Sequence, residues 1–156
     1  MKKIIYKLIV LVLLTNVAIA TAETKTKHFS LSFGKIIIPE APPVSAVMVA
    51  YMNIKNNGSK SQKITHIISP QFKRVEIHEM SMENGMMNMQ QLKSLSIKPK
   101  ETIALESGGL HIMLIKPISP LKHNDKVELT FELATGELTT ISTQVRNIDL
   151  TNQHQH

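Results

Sequence analysis

The sequence predicts an all-β domain, a sandwich or Greek-key barrel of about eight or nine short strands. Three observations carry that reading. Several segments alternate polar and apolar side chains, as in Lys126-Val127-Glu128-Leu129-Thr130-Phe131-Glu132-Leu133, which is the period of a half-buried strand. Turn signals recur between such segments: Asn56-Asn57-Gly58-Ser59, Glu83-Asn84-Gly85, Ser107-Gly108-Gly109, His123-Asn124-Asp125 and Thr135-Gly136. Beyond the first two dozen residues, no segment sustains a 3.6-residue apolar period.

Residues 1–22 read as a secretory signal peptide. Lysines at 2, 3 and 7 precede an unbroken apolar run from Leu8 to Leu14, and small-residue cleavage options follow, ending at Ala20 or Ala22. The run is short for a bilayer span, which needs about 20 apolar residues. One domain is expected over 23–148. Its strands are expected within "FSLSFGKIIIP", "SAVMVAYMNIKN", "KITHIISP", "KRVEIHEM", "MNMQQLKSLSI", "ETIALES", "LHIMLIKP", "KVELTFEL" and "LTTISTQVRNI", with Pro42-Pro43 separating the first two. Residues 149–156 form a polar tail that is expected to be mobile.

Composition narrows the function. The formal charge of +6 falls to +3 without the three leader lysines, and the remaining lysines are scattered, so no phosphate-tracking patch is expected. The 156 residues hold no cysteine. That removes thiolate as nucleophile, as ligand and as the acceptor of a lipid. It also argues against a blue-copper electron-transfer site, which needs a cysteine beside its histidines. With no nucleophile-elbow context and no phosphate-cradling glycine loop, the chain does not read as an enzyme.

Sulfur is the exception to this plainness. Five methionines fall between Met80 and Met89, among Glu83, Asn84, Gly85 and Asn88. In a strand, residues i and i+2 share a face about 7 Å apart. His78 and Met80 form such a pair, as do His111 and Met113, and Met87 and Met89. Imidazole with thioether is a soft donor set that favours Cu(I) over Mg²⁺ or Ca²⁺, and methionine cannot be lost to disulfide formation outside the cytoplasm. Met48 and Met52 read as core. His66 reads as a hydrogen-bonded strand residue, and His28 and His123 as solvated.

The spacing His78, ten residues, Met89, twenty-one residues, His111, one residue, Met113 resembles the H-x10-M-x21-H-x-M signature of the periplasmic copper chaperone family PCu(A)C. With seven His and nine Met in the chain, chance would give it roughly one time in a thousand. "YMNIKNNGS" and "GGLHIMLIKP" also resemble family blocks, and the likeness runs over about residues 44–145. The resemblance implies a cupredoxin-like β-sandwich. It implies a Cu(I) site made of His78, Met89, His111 and Met113, and delivery to the binuclear copper centre of cytochrome c oxidase or to another copper chaperone. Copper sequestration for tolerance, without a dedicated recipient, needs the same ligands and stands as the alternative. Met80, Met82, Met86 and Met87 lie outside the signature and are expected to support the site or a docking contact. They could equally form an exposed loop. His154 and His156 could add a weak Cu(II) site. The expected protein is a soluble periplasmic monomer, with no nucleic-acid partner and no stable membrane insertion once the leader is removed.

Overall fold

The computed structural model describes residues 30–83 and 85–147. The predicted leader, the predicted tail and His28, His154 and His156 lie outside the described residues. Twelve strands occur in the order β1 (Leu31–Phe33), β2 (Ile38–Pro39), β3 (Val47–Ala50), β4 (Met52–Asn56), β5 (Gln62–Ile68), β6 (Phe72–Glu83), β7 (Met86–Leu92), β8 (Leu95–Ile97), β9 (Thr102–Leu105), β10 (Leu110–Pro117), β11 (Lys126–Leu133) and β12 (Leu138–Arg146). No helix is present among the described residues, as the missing helical period led one to expect.

Twelve strands exceed the eight or nine expected because three of the nine sequence segments each contribute two. Each break is a change of sheet. β3 pairs with β10, but after Tyr51 the same segment continues as β4, between β1 and β9. β7 pairs with β6, and two residues later β8 pairs with β5. β1 joins β4, whereas β2 runs parallel to β12. Three sheets result, in the orders β1-β4-β9, β3-β10-β6-β7 and β2-β12-β11-β5-β8.

The sheets enclose one core. Alternate residues of β11, namely Val127, Leu129, Phe131 and Leu133, point into it and are fully buried or nearly so. They meet Ile77, Ile112, Leu114, Met48 and Ala50 from the four-stranded sheet. Met48 and Met52 are both core residues, as their apolar surroundings in the sequence suggested. A buried Asn56 closes the β4 end: its side-chain amide donates to the carbonyls of Lys60 (2.8 Å) and Ile97 (3.0 Å), and its Oδ1 accepts from the Gly58 amide (2.9 Å). All three polar links are satisfied, which is what burial of an amide requires.

The four-stranded sheet sets up everything that follows. Ile77 on β6, Ile112 and Leu114 on β10 and Leu92 on β7 belong to or pack on the core. Side chains alternate along a strand. The other face of the sheet therefore carries Glu76, His78, Met80 and Met82 on β6, Met87, Met89 and Gln91 on β7, and His111 and Met113 on β10. β6 and β7 also continue beyond the end of β10. There they form a two-stranded ribbon whose register runs without a slip from Ile77↔Leu92 to Glu83↔Met86. The methionine-rich segment is therefore mostly strand, where the sequence left a loop open as an alternative.

Candidate metal centre

β10 and β6 pair antiparallel, and the register sets His111 directly opposite His78. Their ring centroids are 6.0 Å apart. One step along the same face, Met113 stands opposite Glu76 and diagonal to His78. On the other side of β6, Met89 stands opposite Met80, again diagonal to His78. Diagonal neighbours on a sheet are about 7–8 Å apart between backbones, within reach of a long side chain. His78, Met89, His111 and Met113, far apart in sequence, thus share one face of the sheet, with Met89 and Met113 on opposite diagonals of His78. His111 is buried, His78 and Met113 are half-buried, and Met89 is 50% exposed, so the cluster opens towards β7.

Hydrogen bonds fix the tautomers of both rings. His78 Nε2 lies 2.9 Å from Glu76 Oε2. A carboxylate only accepts, so Nε2 carries the proton. The lone pair of the neutral ring is then on Nδ1, which is buried and has no hydrogen-bond partner among the described residues. His111 Nδ1 lies 3.0 Å from the carbonyl oxygen of Gly109 and must donate to it, leaving the lone pair on Nε2. Two rings on neighbouring strands are thus each held through one nitrogen with the other free to bind a metal, which is the usual arrangement around a ligating imidazole.

Glu76 is the residue that sequence reasoning missed. Its carboxylate also lies 3.5 Å from Arg74 Nη1, so Arg74, Glu76 and His78 form a line at i, i+2 and i+4 on one strand face. The signal was present in "RVEIH", an acid two residues before a histidine on an alternating strand. The same Gly109 carbonyl that receives His111 also accepts the Met80 amide at 3.2 Å.

The remaining predicted positions separate cleanly. His66 is exposed on β5 with Nδ1 3.6 Å from Glu132. His123 accepts the Asn147 amide at 3.0 Å, a structural turn contact. Of the four accessory methionines, Met80, Met82 and Met87 share the histidine face, and Met86 is on the reverse of the ribbon opposite Glu83. Among the described residues, no group of three or more His, Cys, Asp or Glu is arranged to hold a metal ion.

The family model described as "Putative lipoprotein LpqE-like" matches residues 31–145. The chain belongs to the LpqE-like family. A relative from Leifsonia xyli subsp. xyli, named "Putative lipoprotein Lxx21020", is 28% identical over 111 residues, 70% of this chain and 67% of the relative. Unlike what those lipoprotein names suggest, this LpqE-like chain has no cysteine within its 156 residues to carry a thioether-linked lipid. The fold is that of PCuAC domains. The apo PCuAC domain from PmoF1 aligns with a TM-score of 0.64 at 18% identity, over 77% of this chain and 96% of that one. The copper-bound PCuAC domain from PmoF2 gives 0.62 at 15%, over 77% and 95%. The Cu(I) form of DR1885 from Deinococcus radiodurans gives 0.61 at 23%, over 74% and 76%. At these identities the likeness establishes the architecture that the sequence predicted, and nothing about the ligands of this LpqE-like protein.

Proposed function

We propose that this chain is an exported copper chaperone that binds one Cu(I) through His78, Met89, His111 and Met113. The observation that carries the proposal is the pair of opposed histidines, each tied to the protein through one ring nitrogen, flanked diagonally by two thioethers. A mixed imidazole and thioether set is soft enough for Cu(I) and poor for hard divalent ions. The names of two of these solved structures, a copper-bound PCuAC domain and the Cu(I) form of DR1885, support the same reading.

The arrangement suits carriage more than storage. Four neutral ligands leave the bound ion its charge of +1, and burying that charge costs free energy unless something opposes it. Glu76 lies against His78 and supplies the opposing charge, shared with Arg74. His111 anchors the buried side while Met89 is half open, so a recipient's ligands would reach the ion from the β7 side. The recipient favoured by the family resemblance is the binuclear copper centre of cytochrome c oxidase, met in the periplasm by a leaderless, soluble monomer.

The test is an anaerobic Cu(I) competition titration of the chain beside His78→Ala and Met113→Ala. One tight equivalent, weakened in both variants, is the expected result. Binding indifferent to both substitutions would refute the site. A deletion strain separates delivery from sequestration: loss of oxidase activity at low copper supports delivery, and sensitivity confined to high copper supports sequestration.

A further inference from the structure

Beyond the histidines, the β6–β7 ribbon has two faces of opposite chemistry. One carries Glu79, Ser81 and Glu83 from β6 and Met86, Asn88 and Gln90 from β7. The other continues the histidine face, with Met80 opposite Met89 and, one step further out, Met82 opposite Met87. Directly opposed residues have Cβ atoms about 5 Å apart, and residues i and i+2 follow at about 7 Å. Four flexible thioethers therefore stand in a two-by-two ladder.

Burial does not explain them. Met82 and Met87 are 68% and 66% exposed, and neither belongs to the core or packs on it. Strand propensity does not explain them either, since β-branched and aromatic residues would hold a ribbon better. What methionine has and valine or threonine lacks is a sulfur donor.

We propose a second soft-metal site, formed by the thioethers of Met80, Met82 and Met87, that takes a monovalent soft ion, Cu(I) or Ag(I). The site goes beyond the chaperone reading and does not depend on it, because it uses none of the four residues assigned above. Three neutral sulfurs leave the ion its positive charge, which the solvent-exposed ribbon keeps hydrated and therefore affordable. Without an imidazole the site is the weaker of the two.

Silver(I) is the probe, since it shares the softness of Cu(I) and is inert to the oxidant used to read the site. The full chain is treated with dilute hydrogen peroxide with and without Ag(I), and sulfoxide formation at each methionine is read by peptide mass spectrometry. Silver is expected to protect Met82 and Met87 and to leave Met86, 71% exposed on the reverse face, as reactive as before. The same protection is expected in the His78→Ala/His111→Ala double variant, so a failure of the histidine site would be seen separately. Met82→Leu/Met87→Leu is expected to lose the weaker of two silver equivalents and keep the tighter one. Equal reactivity of Met82, Met86 and Met87 with silver, or an undiminished stoichiometry in the leucine variant, would overturn the proposal.

Discussion

His78 is oriented by a carboxylate that no ligand signature contains. Glu76 holds the Nε2 proton and thereby presents Nδ1, while its charge stands beside the place where a cation would bind. Removing such a partner typically costs 10–100-fold in metal affinity. Glu76→Ala is accordingly expected to weaken Cu(I) binding about 10–100-fold while the far-ultraviolet circular dichroism stays unchanged. An unchanged affinity would mean that the contact serves packing alone. At this scale the sequence was legible in part. The period of two placed each histidine with its methionine, because strand geometry leaves no freedom there. It was silent on Glu76, because a carboxylate on a polar strand face is by default solvated and only the surrounding burial shows otherwise.

The β6–β7 hairpin is the element that distinguishes this molecule from a plain sandwich. Its strands close at the Glu83↔Met86 pair, and Gly85 has φ of +77°. A Cβ added there meets nothing within 4 Å, so the penalty of Gly85→Ala is conformational and not steric. It amounts to about 1 kcal/mol. The expected outcome is roughly fivefold faster hydrogen exchange at the amides of 86–89, with little change at β11, since 1 kcal/mol is about a factor of five in the opening equilibrium. Uniform acceleration across the chain would show instead that the ribbon unfolds only with the whole domain. The hairpin itself was readable from Asn84-Gly85, a strong turn signal. The changes of sheet at Tyr51 and between Leu92 and Leu95 were not. Hydrophobic alternation reports which face is buried and carries no mark for the partner strand.

The whole molecule rests on a single core without disulfide or metal support from cysteine, and Phe131 is at its centre, fully buried with its ring 4.5 Å from that of Phe33. Phe131→Ala is expected to cost about 3–5 kcal/mol, a large part of the 5–15 kcal/mol typical of a domain, and to lower the urea midpoint accordingly. Met86→Leu, on the exposed reverse of the ribbon, should change it by less than about 0.5 kcal/mol. The carbonyl oxygen of Gly109 joins these scales. It receives the His111 ring and the Met80 amide together, so the turn before β10, the buried imidazole and the root of the ribbon share one atom. Any tilt of that imidazole towards a metal changes what the oxygen can offer β6. The ribbon is thereby moored to the ring it leads away from, and a displacement of either is felt by the other.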